Sequence, residues 1–491
     1  MKTVKHPLLR DLEDREYQAR IAKTASKRNT LVCLPTGLGK TNVAILVAAD
    51  RLKQFPESQI LVVAPTKPLV SQHFSLFRKF FQIDKEKFQV ITGSIPPRQR
   101  NVLYEKQLVF ATPQTIQKDL ENERFSLERV SLLVIDELHH AVGRYAYPYI
   151  AQRMLKEARH PRILGLTASP GSSKKKIETI LKNAGIEAVE IRTEDDFDVK
   201  PYVKQKEVDW IEVELPERFL KIQLLLQQAL EKRTTKLRVK TKRGLLALQQ
   251  NLQKSIRGGN RSAFGLATLV AQALKIEHAL GLLETQGIGI LRAYLKGLPQ
   301  DTSRAAASLL KDQSMSNAIF LTESLFEGGS RHPKIGKLCS VIGHELQSRP
   351  DSKIIVFANF RETVKEISRV LKRIEGARPI ILTGQRDLSQ KEQLETIRRF
   401  EDDANILVTT SIGEEGLSLE SADLAVFYEP VPSEIRQIQR RGRVGRTKFG
   451  RILVLVTKNT RDEAYRWAAY HKEKKMKRTL RDMQVKQFPF T

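Results

Sequence analysis

Cys33-Leu34-Pro35-Thr36-Gly37-Leu38-Gly39-Lys40-Thr41 is the stretch on which the reading of this chain turns. The apolar run Thr30 to Leu34 leads into it and reads as a buried strand. Thr41 to Leu52 is rich in Ala, Val and Leu and reads as a helix. A Gly-rich turn between strand and helix aims backbone amides at one point, at the positive end of the helix dipole, and so favours an anion. Lys40 is placed to reach the β- and γ-phosphates of a nucleotide, and the Thr41 hydroxyl to hold Mg²⁺. The strict pattern has Gly six residues before the Lys, where this chain has Leu34. On this stretch alone a plain strand–turn–helix is the alternative.

The chain is long enough, at 491 residues, for about three domains, and its 41% hydrophobic content suffices for large cores. A formal charge of +28 points to a polyanion, nucleic acid ahead of an anionic membrane. No run reads as long and apolar enough to span a bilayer. The N-terminal Met1-Lys2-Thr3-Val4-Lys5-His6-Pro7 has no apolar signal core. The expected location is therefore cytoplasmic, intracellular and nucleoid-associated. Cys33 and Cys339 cannot make a four-ligand zinc site and read as small buried hydrophobes.

Outward from the phosphate loop, Arg15-Glu16-Tyr17-Gln18 opens a helix to Lys27, and the Gln18 amide can both accept from and donate to an adenine edge. Ile60 to Ala64 is a second strand, ending at Pro65-Thr66-Lys67. Phe88 to Ile91 ends at Thr92-Gly93, and Leu108 to Ala111 ends at Thr112. In open parallel sheets ligands bind outside the carboxyl ends of strands, where hydroxyls and amides can hold strand phosphates. Helix capping is the plainer reading of any one such loop. Leu132 to Ile135 then runs into Asp136-Glu137-Leu138-His139-His140. Adjacent carboxylates at a strand end ask for a cation: Asp136 to hold Mg²⁺, Glu137 to orient and deprotonate the attacking water. Ile163 to Leu166 ends at Thr167-Ala168-Ser169. Strands alternating with helices to about residue 200 make one doubly wound parallel α/β domain.

After a strand from Val208 to Val213 the composition turns rich in Leu, Ala and Gln at helical spacing. Lys232, Arg233, Lys236, Arg238, Lys240, Lys242, Arg243, Lys254, Arg257 and Arg261 belong to this basic helical region. One sign of charge over about thirty residues reads as a phosphate-contact surface rather than a merely solvated face. A second α/β unit begins near Arg331, with a strand from Ile354 to Ala358 followed by Asn359 and Arg361, and another ending at Thr410. It has no phosphate loop of its own. It does carry Gly416 and the run Gln439-Arg440-Arg441-Gly442-Arg443-Val444-Gly445-Arg446. Arg443 and Arg446, three apart on a helical turn, share a face and can enter a phosphate site on the facing domain. A basic amphipathic helix, Arg461 to Arg481, follows.

These motifs, in this order, resemble those of superfamily 2 DEAD/DEAH-type helicases, and the helical insertion resembles that of the archaeal Hef and Fanconi-anaemia-M helicase family. The resemblance implies two RecA-like doubly wound parallel-sheet domains, 1–205 and 331–491, with an all-helical domain, 206–330, between them. It implies ATP and Mg²⁺ as cofactors. Arg15, Gln18, Thr36, Gly37, Gly39, Lys40, Thr41 and Gly416 fall in the implied nucleotide set, with Mg²⁺ at Thr41 and Asp136. Asp136, Glu137, Gln439, Arg443 and Arg446 fall in the catalytic set. Pro65, Thr66, Lys67, Thr92, Gly93, Thr112, Asn359, Arg361 and Thr410 are implied nucleic-acid contacts, to which the insertion adds Lys236, Arg238, Lys240, Lys242 and Arg243. Ser418 stands where many relatives carry Asp, so no ribose contact is carried over to it.

The expectation is an ATP-driven helicase or translocase on branched DNA, such as stalled forks and junctions, moving 3′ to 5′. Branched DNA, a nuclease domain beyond Thr491 as in Hef, and replication or repair clamp proteins are the implied partners. This chain shows no Glu-Arg-Lys nuclease signature and is not expected to cut DNA. A translocase on double-stranded RNA, as in the RIG-I-like and Dicer helicases that share the insertion, is the second reading. A nucleotide-switched clamp that does not travel is the third.

Overall fold

A computed structural model of the protein describes residues 3–202, 207–383, 390–410, 422–430 and 451–485. Seven strands build the first sheet: β1 Thr30–Cys33, β2 Gln59–Val63, β3 Phe88–Ile91, β4 Leu108–Ala111, β5 Val130–Ile135, β6 Ile163–Thr167 and β7 Ala188–Ile191. Their order is β3-β4-β2-β5-β6-β1-β7, and every pair is parallel. Helices cover both faces, so the central strands are buried throughout and read as unbroken apolar runs. Successive residues still alternate between two cores. Leu31, Leu61, Val109 and Leu133 pack on one side, while Val32, Ile60, Val62 and Val134 pack on the other.

The second sheet has β8 Glu207–Val213, β9 Ile354–Phe357, β10 Pro379–Leu382, β11 Ile406–Thr409, β12 Leu424–Phe427 and β13 Arg451–Thr457. Its order is β10-β11-β9-β12-β13-β8, again parallel. Here one expectation is corrected. The strand assigned to the start of the helical insertion is an edge strand of the second sheet, paired with β13 along its whole length from Glu207↔Arg451 to Val213↔Thr457. The pairing has a packing cause: Val208 and Trp210 lean on one face of that sheet and Ile211 on the other.

The insertion proper is a bundle of six helices, from Glu217–Leu237 to Gln313–Glu327. Its centre is Ala263–Thr285, 23 residues and about 35 Å long, which packs against Glu217–Leu237, Lys242–Arg257, Ile288–Gly297 and Arg304–Leu310. This helix has the length and composition to cross a bilayer, contrary to the reading that no run does. A helix apolar on most sides also suits the middle of a bundle, and that is where it sits.

Bundle and second sheet are bolted together by buried and partly buried polar contacts. The Arg461 guanidinium meets Glu277 Oε2 at 2.8 Å, and the Arg461 amide donates to Glu284 Oε2 at 3.2 Å. Thr363 Oγ1 donates to Gln286 Oε1 at 2.6 Å. His332 Nε2 donates to Glu284 O, and its Nδ1 accepts from the Lys334 amide. That pattern requires a neutral ring, and burial pushes the His332 pKa down to about 3. The C-terminal helix Arg461–Val485 starts at this junction and returns to the first domain. Met476, Leu480 and Met483 are buried in the first domain's core, each worth about 1.5–3 kcal/mol. Its amphipathic pattern was legible; that its apolar side belongs to the other domain was not.

Candidate active site

The order of the first sheet sorts its loops. β5, β6 and β1 are neighbours, and their carboxyl ends carry Asp136-Glu137, Thr167-Ala168-Ser169 and the phosphate loop. β3, β4 and β2 are neighbours, and theirs carry Thr92-Gly93, Thr112 and Pro65-Thr66-Lys67. Candidate nucleotide and nucleic-acid loops thus occupy adjacent halves of one sheet edge.

In the phosphate loop Gly37 and Gly39 are left-handed, with φ of 88° and 71°. Gly39 is favoured there by its left-handed conformation, and a Cβ on it would displace the Gln18 amide, 2.4 Å away. Lys40 and Thr41 open the helix Lys40–Gln54, and Lys40 Nζ donates to Leu34 O at 3.1 Å. The contact at position 34, where the strict pattern has Gly, is thus made by the backbone carbonyl and not by the side chain. Thr36 is half-buried and lines a cavity of about 70 Å³ with Cys33, Ala168, Glu473, Met476 and Lys477. The C-terminal helix thus reaches the back of the loop, and Ser169 Oγ contacts Met476 Sδ at 2.9 Å. Burial pushes the Cys33 thiol up to about 12, which suits an inert core residue.

Gln18 is buried. Its Nε2 donates to Leu38 O at 3.0 Å, beside Tyr17 OH, which donates to the same carbonyl at 2.7 Å. Gln18 Oε1 is buried and accepts nothing among the described residues. A lone buried acceptor beside a phosphate loop suits the amino group of an adenine. Arg15 pairs with Glu13 at 2.6 Å and lies 4.9 Å over the Tyr202 ring.

Asp136 and Glu137 stand at the end of β5. Asp136 Oδ2 is 2.8 Å from His73 Nε2, Oδ1 accepts from the Glu137 amide at 2.9 Å, and the main-chain carbonyl accepts from Tyr147 OH at 2.7 Å. Burial raises the Asp136 pKa, but His73, the Lys40 ammonium and the Glu137 amide together outweigh it and hold the carboxyl below its usual range. Glu137 has φ 49° and ψ 51°, a left-handed conformation that costs a non-glycine residue roughly 1–2 kcal/mol. The turn is kept by close packing beneath it: Leu138 presses on Gly165, where a Cβ would meet Leu138 Cδ2 at 2.3 Å. Glu137 Oε2 is 3.1 Å from His139 Nδ1, which is 3.3 Å from Thr167 Oγ1.

This set fits a nucleotide with Mg²⁺. The donors are hard oxygens, the Asp136 carboxylate and the Thr41 hydroxyl, beside a lysine. Mg²⁺ at such sites takes one or two carboxylates and completes its shell with phosphate oxygens and water. Among the described residues no group of three or more His, Cys, Asp or Glu could hold a metal ion alone. His73 is the residue the sequence reading missed; nothing in its neighbourhood, Val70-Ser71-Gln72-His73, signals a contact with β5.

The candidate nucleic-acid residues divide. Thr66 Oγ1 is buried and without a hydrogen-bond partner among the described residues. Lys67, partly exposed, opens the helix Lys67–Phe80. Thr92 Oγ1 pairs with Ser94 Oγ at 2.7 Å and Thr112 Oγ1 with Thr115 Oγ1 at 2.8 Å; Thr112 stands at the N-cap of the helix Pro113–Glu121, but its side chain makes no capping bond to a backbone amide. In the second sheet Asn359 follows β9, its amide donating to Glu429 Oε1, Arg361 opens a helix, and Thr410 is buried after β11. Lys236, Arg238, Lys240, Lys242 and Arg243 are all exposed around the turn between two bundle helices. Lys242 and Asn359 line one cavity of about 240 Å³ between bundle and second sheet. Arg233 leaves the phosphate-contact set: it is buried, 2.7 Å from Asp312 and 3.0 Å from Gln272. Lys232 also pairs with Asp312, at 3.7 Å. Gly416, Gln439, Arg443 and Arg446 lie outside the described residues.

Comparison with known proteins agrees with this geometry. Residues 15–177 match the DEAD/DEAH box helicase family, 333–448 the helicase conserved C-terminal domain, and 212–325 a family described as putative ATP-dependent RNA helicase, helical bundle. The crystal structure of the Pyrococcus furiosus Hef helicase domain superposes with a TM-score of 0.72 at 42% identity, over 93% of this chain and 98% of that one. A putative ATP-dependent RNA helicase of Methanocaldococcus jannaschii is 40% identical over 98% of this chain and 62% of its own length. An ATP-dependent DNA helicase, MPH1, of Pyricularia oryzae is 34% identical over 94% of this chain and 45% of its own length. The Fanconi anemia group M protein homolog of Mus musculus is 31% identical, and the chain spans 25% of it. The chain belongs to the DEAD/DEAH-box family of the Hef, Mph1 and Fanconi anemia group M helicases and carries both halves of their ATP-dependent helicase core, with the helical bundle between them.

Proposed function

We propose that this chain is the motor of an ATP-driven DNA translocase that acts on forks and junctions and moves 3′ to 5′. The observation that carries the reading is the placement of Lys236 to Arg243. This exposed cationic turn stands on a bundle bolted to the second sheet, and its Lys242 shares a cavity with Asn359. A junction presents two arms at an angle, and two separate cationic surfaces can hold both at once, which raises affinity through effective concentration.

In this reading Lys40 and the loop amides bind the phosphates, and Gln18 Oε1 takes the adenine amino group. Thr41 and Asp136 would hold Mg²⁺, which would supply charge neutralisation at the nucleotide phosphates. Glu137 orients water and accepts its proton. Arg443 and Arg446 enter from the second domain as it closes on ATP, and nucleic acid speeds turnover by favouring that closed form. The relatives whose names specify DNA support the substrate. The bundle family and the M. jannaschii relative, whose descriptions specify RNA, support the second reading, a double-stranded RNA translocase. The test is ATPase stimulation by single strands, duplexes, forks and four-way junctions, each in DNA and RNA. Strongest stimulation by DNA forks or junctions is expected; strongest stimulation by RNA duplex would transfer the assignment to the second reading.

A further inference from the structure

We infer that His73 is a positioning residue for ATP hydrolysis: it fixes the Asp136 carboxylate and ties it to the helix that begins beside the candidate nucleic-acid loop. The inference rests on Asp136 as the holder of Mg²⁺.

Three observations carry it. The first is geometry across a functional border. β2 and β5 are adjacent in the sheet, one ending in the nucleic-acid half of the edge and the other in the nucleotide half. The Asp136 amide already donates to Val63 O of β2 at 2.9 Å. His73 adds a side-chain tie, Nε2 to Oδ2 at 2.8 Å, and neither side chain is more than 8% exposed. The second is what His73 leaves unsatisfied. Its Nδ1 is buried and has no hydrogen-bond partner among the described residues. Among the described residues the ring is therefore held through Nε2 alone, by Asp136. The third is the lever. His73 lies six residues, about 9 Å, along the helix that starts at Lys67. Thr66, at the head of that helix, has a buried hydroxyl that also lacks a partner among the described residues. A phosphate drawn to Thr66 and Lys67 pulls on the same rigid helix that holds Asp136. Groups that orient a metal ligand from behind commonly change metal affinity or activity by about 10–100-fold when removed.

The test compares the full chain with His73→Leu, which fills the volume without a donor, and His73→Gln, whose amide nitrogen reaches the same place. Equilibrium binding of a methylanthraniloyl ATP analogue is followed across a Mg²⁺ titration, and steady-state ATPase is measured with and without a DNA fork. For His73→Leu the half-maximal Mg²⁺ concentration should rise about 10–100-fold and the stimulation by DNA should fall. His73→Gln should recover most of both. A parental Mg²⁺ titration in His73→Leu, or equal impairment in Leu and Gln, overturns the inference. Thermal melts report folding. If the Leu variant does not fold, His73→Asn replaces it, since its shorter amide cannot reach Oδ2; Asn performing as well as Gln is then the overturning result. Asp136→Asn separates the underlying reading: a parental titration there sinks the assignment of Mg²⁺ to Asp136 itself, whereas an altered one beside a parental His73→Leu sinks the role of His73 alone.

Discussion

Glu137 Oε2 lies 3.1 Å from His139 Nδ1, and that nitrogen lies 3.3 Å from Thr167 Oγ1. The acid assigned as general base is therefore held by a side chain that also touches the last residue of β6. Glu137→Gln keeps the shape and the left-handed turn but removes the basic oxygen. Turnover should fall about 10²–10⁴-fold while ATP binding stays near parental, because Asp136, Thr41 and Lys40 are untouched. Steady-state ATPase beside equilibrium nucleotide binding checks this, and parental turnover would remove Glu137 from its role.

Lys40→Ala should lose both. The β- and γ-phosphates lose their cation, and the loop loses the Nζ bond to Leu34 O. ATP binding should weaken by at least about tenfold, the effect of about 1.4 kcal/mol, with hydrolysis below detection. Binding to a DNA fork without nucleotide should survive, since none of the candidate nucleic-acid residues is changed. Hydrolysis at the parental rate would mean that the loop does not hold the phosphates.

What the sequence showed and what it hid divide by distance along the chain. The phosphate loop and Asp136-Glu137 were legible because their chemistry lies within a few consecutive residues. His73 was not, since its partner stands on another strand and only the sheet order brings them together. Strand β8 was found but assigned to the wrong domain, because its one partner, β13, comes after the whole bundle and the rest of the second sheet. Arg233 looked like its basic neighbours, and its burial against Asp312 and Gln272, on other parts of the bundle, sets it apart. Local chemistry is written locally; register, docking and the choice of ion-pair partner are decided in three dimensions.

Lys334 and Asp462 form a fully buried ion pair between the first helix of the second domain and the start of the C-terminal helix. Asp462 Oδ2 also accepts from the Thr457 amide at 3.0 Å, and Lys334 Nζ lies 5.4 Å from the Tyr428 ring centroid. Removing one member leaves a buried charge without its partner, so Lys334→Met should cost about 3–5 kcal/mol. Replacing both, Lys334→Met with Asp462→Leu, should recover much of that loss. Urea unfolding followed by hydrogen exchange in residues 461–476 reports where the loss falls. A single variant as stable as the parent would show that the pair does not hold the C-terminal helix in place.

The exposed cations of the bundle give the last prediction, and the structure sharpens it by removing Arg233 from the set. Lys236, Arg238, Lys240, Lys242 and Arg243 are solvent-facing and able to meet phosphates, whereas Arg233 is spent on Asp312 and Gln272. Changing the five to Gln should weaken binding to a fork more than to a single strand, because the second arm loses its surface while the sheet-edge loops keep theirs. The slope of log affinity against log salt on forks should become shallower by about 0.9 for each duplex phosphate that is no longer neutralised. Arg233→Gln should act differently. It leaves Asp312 without its closest cation inside the bundle, so it should lower the bundle's unfolding midpoint and leave the salt slope on forks as it was. The measurement is a salt titration of fork and single-strand binding for the parent, the five-fold variant and Arg233→Gln, with a melting curve for each. Equal weakening on fork and single strand would make the turn a general electrostatic aid. Unchanged binding to both would return it to a solvated surface. A shallower slope from Arg233→Gln in a bundle that melts normally would place that guanidinium on the nucleic acid after all, against the burial that excludes it here.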